Sequence, residues 1–496
     1  LSKLRVKKVG IDTYHENIAY LSFGCELCKS QGFGALSKIE VRGDGKSILA
    51  TLNMTENGLV KSTEIGLSDI AFERLGMAQG TEVSLSHPNP LLSYDYVRQK
   101  LEGKGLDKRQ FLEILGDIVG YRYSNIELTA FVIACSQHRL NETEIQFLSE
   151  AMIETGQRID WDFPLVLDKH CIGGVPGNRT TMIVVPIIAA FGLHIPKTSS
   201  RAITSPSGTA DTMETIANVR LSLPQMRQIV AEENACIAWG GSLTLAPADD
   251  ILISVERPLN LDSTGQMIAS ILSKKRSAGS NRMVLDIPIG PTAKVRSLRE
   301  AERLKELFQN IGGRIGLQIR VIFTDGTQPV GRGIGPSLEA RDVLRVLENS
   351  QEQPKDLREK SIFLAGELLE FSGEVAAGQG APAARKILDS GEAFEKFHSI
   401  ALKQGGFKRP ELASLSTVVA SPTQGLVQSI HNQKIAMVAK LAGAPHDARA
   451  GVFLGVKLGE AVAEGAPLFT IYAESGERLR FSMDYVAANR DILVVR

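Results

Sequence analysis

The stretch Leu167–Pro186, LDKHCIGGVPGNRTTMIVVP, constrains the fold more than any other part of this chain. FPLVL reads as a strand, and RTTMIVVPIIAAF reads as a helix with Asn178 as its N-cap and Gly192 just past its end. A glycine loop therefore joins the carboxyl end of a strand to the start of a helix. Open α/β sheets bind ligands there, and the unsatisfied backbone N–H groups of a helix start favour an anion. The next strand is expected around LHIPK. It feeds a second loop, TSSRAITSPSGTADTMETI, dense in hydroxyls and closing on a helix near Thr209. Two consecutive right-handed crossovers set both loops side by side on one edge. Lys169, Thr180, Thr181, Ser199, Ser200, Arg201, Thr204, Ser205 and Thr209 are expected to converge there, with phosphate as the natural ligand.

The rest of the chain arranges itself around this segment. At 496 residues it is long enough for about three domains of roughly 100 to 200 residues each. Residues 1–85 read as strands and turns; KIEVRGDGKSILATLNM alternates and breaks at a glycine turn. Residues 86–158 change to helix, with capping-box pairs at Ser124/Glu127 and Asn141/Glu144, then Ile145, Leu148 and Met152 at helical spacing. About 249–277 completes this helical lobe. Residues 159–248 and 278–408 alternate strands and helices in the manner of parallel βαβ units. Residues 409–496 are strand-rich again, and GVFLGVKLGEAVAEGAPLFTIYA resembles the hammerhead module of biotinyl and lipoyl domains but lacks a hairpin-tip lysine. The expected fold class is thus multi-domain α/β: a β-rich N-terminal domain, a helical lobe, an α/β domain with a mainly parallel sheet, and a β-rich, hammerhead-like C-terminal domain.

Charge and cysteine usage narrow the partners. Lys plus Arg and Asp plus Glu both number 56, so no net field draws nucleic acid or an anionic membrane, and a small molecule is the expected partner. Five scattered cysteines argue against a disulfide framework and point to a reducing, cytoplasmic setting. No apolar run reaches the roughly 18 residues of a membrane span, and LSKLRVKKVG lacks the apolar centre of a signal peptide. Neither GGVPGNRT nor GDGKS has Walker A spacing. The Cys25/Cys28 pair has no second CxxC, and the histidines lack HxH or HExxH spacing, so no metal and no cofactor are expected.

A third element lies in ISVERPLNLDSTGQMIASILSKKRSAG. If Asp262 caps a helix, Ser270 and Lys274 fall four residues apart on one face, so that a carboxylate, a hydroxyl and an ammonium look the same way. The competing reading is an amphipathic surface helix with Lys274 and Lys275 in water.

DKHCIGGVPGNRTT, SSRAITSPSGTADTME and ASILSKK, in that order, resemble the thymidine phosphorylase-type nucleoside phosphorylases, and the extra N-terminal domain resembles that of the family's long form, AMP phosphorylase. The resemblance implies a phosphate site from Lys169, Thr181, Ser199 and Thr209, with His170, Ser270 and Lys274 at base-contacting positions. It implies a proton-donating Asp262, and nucleotide contacts from Gly174, the run Ser200, Arg201, Ala202, Ile203, Thr204 and Ser205, then Thr209, Ser270 and Lys294. Asp262, His170 and Lys274 are the expected catalytic set. Three departures stand out: Cys171 replaces a phosphate-binding serine, Pro176 is inserted in the glycine loop, and the base-binding arginine has no exact counterpart, Arg257 being two positions off. The implied reaction is phosphorolysis of a nucleoside, thymidine in the family's commonest form, by inorganic phosphate as co-substrate in a homodimer or higher homo-oligomer. A nucleoside 5′-monophosphate is the alternative substrate. A phosphoribosyltransferase of the anthranilate type, with Asp211 and Glu214 as its magnesium pair, and a non-catalytic nucleotide-binding protein are further alternatives.

Overall fold

A computed structural model describes residues 3–56, 58–202, 205–259, 261 and 263–496, without the side chain of Arg257. Asp262, Ile203 and Thr204 lie outside the described residues. Contacts divide the chain into two compact units, residues 1–156 with 246–270, and residues 157–245 with 271–496.

The first unit opens with a closed barrel. Its strands β1 (Leu4–Lys8), β2 (Ile18–Ser22), β3 (Lys38–Gly43), β4 (Lys46–Thr55), β5 (Glu64–Leu67) and β6 (Glu82–Ser86) run in the order β1-β5-β2-β4-β3-β6, with the short helices α1 (Glu26–Gln31) and α2 (Asp69–Leu75) between them. Closure leaves no sheet edge unpaired. Asp44 and Gly45, both at positive φ, turn β3 into β4, so GDGKS is the tip of a hairpin. Cys25 and Cys28 are buried in the barrel core. Burial, with Cys25 beside it, pushes the Cys28 thiol up to about 12, so this CxxC is packing.

Four helices follow, α3 (Ser93–Leu101), α4 (Lys108–Val119), α5 (Asn125–Gln137) and α6 (Glu142–Glu154). Both expected capping boxes form, at Ser124/Glu127 and Asn141/Glu144. Each acidic member serves a second purpose. Glu127 takes the Lys38 ammonium of β3 at 2.6 Å, and Glu144 takes Lys100 of α3 at 2.7 Å in a pair that is almost wholly buried. Ile145, Leu148 and Met152 face the interior as their spacing predicts.

The second unit holds the parallel strands. In chain order its elements are β7 (Leu167–Cys171), α7 (Thr181–Ala190), β8 (Ile195–Ser199), α8 (Thr209–Glu214), α9 (Leu223–Glu233) and β9 (Ala235–Trp239). The chain then enters the first unit through α10 (Pro247–Leu259) and returns along α11 (Thr264–Ser277). It continues with β10 (Arg282–Ile289), α12 (Leu298–Arg314), β11 (Gln318–Asp325), β12 (Gly333–Ile334) and α13 (Pro336–Leu347). β11, β10 and β7 form one parallel sheet, and β8 and β9 form a parallel pair, joined to β7 where Leu167 N–H donates to the His194 carbonyl at 2.9 Å. Nine of the ten residues of α7 are buried, which explains its unbroken apolar text. The C-terminal strands build an antiparallel four-stranded sheet that includes β12, and a second sheet of three short strands.

Sequence and structure differ in register here. The strand is LDKHC rather than FPLVL, the second is IPKTS rather than LHIPK, and the α7 N-cap is Thr180 rather than Asn178. Apolarity misplaced both strands by two to four residues, because their buried charges are paired and therefore tolerated. Asn178 turns its amide toward Cys171 and Asp286 instead of capping.

Replacing Lys100 by Met should destabilise the first unit by about 3 to 5 kcal/mol, since removal of one partner leaves the other charge buried and uncompensated. Denaturant unfolding followed by circular dichroism measures the loss.

Candidate active site

The pleat of β7 sorts consecutive side chains onto opposite faces of the strand. Asp168 and His170 share one face, Lys169 and Cys171 the other. On the Lys169 face, the fully buried ammonium donates to Thr180 Oγ1 at 2.7 Å and reaches Thr181 Oγ1 at 3.5 Å, at the start of α7. Asn178 Nδ2 contacts Cys171 Sγ at 3.2 Å and Asp286 Oδ2 at 3.3 Å. Asp286, on β10, also accepts from Thr324 and pairs with Lys360 at 3.2 Å. Burial pulls the Lys169 pKa down, against the raising influence of Cys171 and Asp286. Burial pushes the Cys171 thiol up to about 11, so it is neutral where the family's serine would be.

On the opposite face, the Asp168 carboxylate is shared by two lysines. Lys197 Nζ of β8 lies at 2.8 Å from Oδ1, and Lys275 Nζ of α11 at 3.0 Å from Oδ2. Burial alone would raise Asp168, but Lys197 and Lys275 outweigh it and hold the carboxyl below its ordinary range. His170 is held neutral, its pKa pulled well below the usual value by burial and then by Lys275, Lys197, Lys169 and Lys274. Lys274 is half-buried and Lys275 buried, so the reading that leaves both in water does not hold.

Arg179 ties the two loops together. Its guanidinium donates to Thr209 Oγ1 at 3.0 Å and to the Ser207 carbonyl at 2.9 Å, and it pairs with the buried Glu339 of α13. Ser199 Oγ is buried with no hydrogen-bond partner among the described residues. Gly174, at positive φ, lies against Lys294, where a Cβ would stand 2.3 Å from the backbone nitrogen; Gly208 similarly lies under the Ser200 carbonyl. Both loops need glycine at these close approaches.

The remaining predicted residues divide by neighbourhood. Arg201 forks onto Glu214 at 2.6 and 2.7 Å, contacts Asp211 at 3.0 Å and stacks on Trp239. Asp211 also accepts from the backbone N–H groups of Ala202 and Gly208, while Ser205 Oγ donates to the Ser207 carbonyl. Asp211 and Glu214 are thereby engaged within their own loop. Ser270 and Lys274 lie one turn apart on α11, as expected, and Ser270 Oγ donates to Asp249 at 2.8 Å in the first unit. Sequence reasoning missed Asp168, Lys197, Lys275, Asp286 and Glu339 as site residues. A charged residue inside an apolar strand, as in LDK and IPK, was the available signal.

Three comparisons bear on this arrangement. Residues 164–394 match the glycosyl transferase family a/b domain, 94–156 its helical bundle domain, and 426–493 the pyrimidine nucleoside phosphorylase C-terminal domain. A protein from Legionella pneumophila (strain Paris) named "Putative thymidine phosphorylase" is 51% identical over 492 residues, 99% of this chain and 95% of its own length. One of the same name from Albidiferax ferrireducens is 51% identical over 486 residues, covering 97% and 93%. Among solved structures, anthranilate phosphoribosyltransferase from Thermus thermophilus aligns at TM-score 0.53 and 19% identity, over 62% of this chain and 99% of that one. The Saccharomyces cerevisiae counterpart aligns at 0.52 and 14%, over 64% and 99%. These structures share the fold. The chain is a pentosyltransferase of the nucleoside phosphorylase class. It belongs to the thymidine phosphorylase family, at about half identity over its full length.

Arg179→Lys keeps the charge but loses the fork, and a lost hydrogen bond to a charged group is worth about 1.5 to 3 kcal/mol. The apparent KM for phosphate should rise about tenfold or more, measured by initial rates against phosphate. The depressed His170 pKa also fixes a sign. The unfolded histidine titrates near 6.5, so the unfolded state binds the extra proton first. The contribution of His170 to stability is full above about pH 6.5 and is lost as the pH falls toward its folded value. His170→Gln should flatten this part of the stability profile, measured by urea unfolding between pH 7 and pH 5.

Proposed function

We propose that the enzyme catalyses phosphorolysis of thymidine to thymine and 2-deoxyribose 1-phosphate, with inorganic phosphate as co-substrate and no cofactor. One observation carries the anion half of this reading. On the Lys169 face of β7, the amines of Lys169 and Lys360 gather around a single carboxylate, Asp286. A buried excess of positive charge calls for an anionic partner. Lys169, Thr181, Ser199 and Thr209 line the two loops that would receive it.

A phosphate oxygen forms the new bond at C1′ as the C1′–N bond breaks, and the base leaves with the electron pair. Oriented loop dipoles and Lys169 hold the nucleophile in place. On the other face of β7, neutral His170 donates or accepts a hydrogen bond at the base, and Lys274 balances the charge that develops there. The family relatives' names support thymidine. A nucleoside 5′-monophosphate is the second reading, favoured by the extra N-terminal domain, by Lys294 beside the glycine loop and by the displacement of Arg257 in the sequence. There Asp262 would protonate the departing base. Free cysteines at all five positions support a reducing, cytoplasmic setting, and a homodimer or higher homo-oligomer is part of the same proposal. Among the described residues no helix is long and apolar enough to cross a membrane.

Base release should require phosphate or arsenate. Equal release in phosphate-free buffer, measured by chromatography of the base, would overturn phosphorolysis. Asp262→Asn separates the two substrates, because asparagine keeps the size of aspartate but has no carboxylic proton to donate. Loss of a general acid costs about 10² to 10⁴ in turnover. That loss is expected on AMP if AMP is the substrate, and near-normal turnover on thymidine if thymidine is.

A further inference from the structure

Lys275 is the residue the mechanism above leaves unused. The residue is 4% exposed, its side-chain amine donates to the Thr198 carbonyl at 2.8 Å, and it pairs with Asp168 at 3.0 Å. Thr198 belongs to β8 and Asp168 to β7, so one side chain of α11 grips two strands. Elsewhere the end of α11 is held by contacts remote from those strands: Ile159 N–H on the Ser277 carbonyl, Trp161 Nε1 on the Ala278 carbonyl, and Arg276 on the Ile315 carbonyl. His170 lies two residues beyond Asp168 on the same face of β7, and Lys274 lies one residue before Lys275. Asp168 is therefore a common reference point for both.

We propose that Lys275 is a positioning residue for the phosphorylase reaction: gripped by Asp168 and the Thr198 carbonyl, it sets where Lys274 stands relative to His170. The proposal rests on the reading of Lys274 given above. Stability alone does not account for the grip, since well-packed apolar groups often replace buried ion pairs at no cost. Asp168 also keeps Lys197 when Lys275 is removed, so Lys275→Met does not orphan the carboxylate.

A double-mutant cycle on the full-length enzyme tests this. Lys275→Met should fold with a melting temperature close to wild type and lower kcat about tenfold or more, a loss read as altered transition-state placement. Phosphate affinity, read by isothermal titration with inorganic phosphate, should stay within about twofold, because Lys169 lies on the other face of β7. In a Lys274→Met background, Lys275→Met should change kcat by less than about twofold, since residues acting through one another are not additive. The same factor in both backgrounds, an unchanged kcat in the single variant, or a loss carried by phosphate affinity overturns the proposal. If Lys274→Met leaves kcat intact, the reading of Lys274 fails and this proposal fails with it; if Lys274→Met is impaired and the cycle is additive, only the proposal fails. Should Lys275→Met not fold, Lys275→Gln, which keeps a donor for Thr198 and loses the charge, goes through the same cycle.

Discussion

The Asp168 carboxylate, buried between Lys197 and Lys275, is the interaction on which the arrangement of the second unit turns. It binds β7, β8 and α11 to one point. Burial pulls the Lys275 amine down to about 7, with Asp168 acting against the fall and Lys197 adding to it. Burial, and after it Lys275 and Lys197, keep the neighbouring His170 imidazole neutral. The packing of the strands and the protonation of the site thus draw on the same residues.

The opposite face of β7 works by a different rule. There the loops are shaped by backbone proximity, with Gly174 against Lys294 and Gly208 under Ser200, and they are joined by the guanidinium of Arg179. Burial raises the Glu339 carboxyl, and Arg179 acts against that rise. The inserted Pro176 is accommodated because its carbonyl accepts from Val330 N–H at 3.1 Å, which seats the loop on the segment leading to β12.

What the sequence discloses depends on whether a signal is local. Capping boxes, the β3–β4 hairpin and the apolar α7 follow from neighbours within a few residues, and all can be read directly. The fold class could be read too, because alternating strands and helices declare parallel units. Strand registers could not, since Asp168, Lys169 and Lys197 look like loop residues until their partners, from 11 to 107 positions away, are known. The same blindness hid Glu339, which lies 160 positions from Arg179. Long-range charge pairing is invisible to periodicity, and here it accounts for nearly all that was missed.

This division bears on how one fold can serve different pentosyl transfers. The anthranilate phosphoribosyltransferases share the fold at under 20% identity, so the scaffold does not dictate the leaving group. In this chain Asp211 and Glu214 are engaged by Arg201 within the second loop, whereas Lys197 and Lys275 gather at Asp168 on β7. On the reading proposed above, choice of base is then a matter for the Lys274 face and choice of anion for the Lys169 face. A single strand, by the alternation of its pleat, keeps the two choices separable.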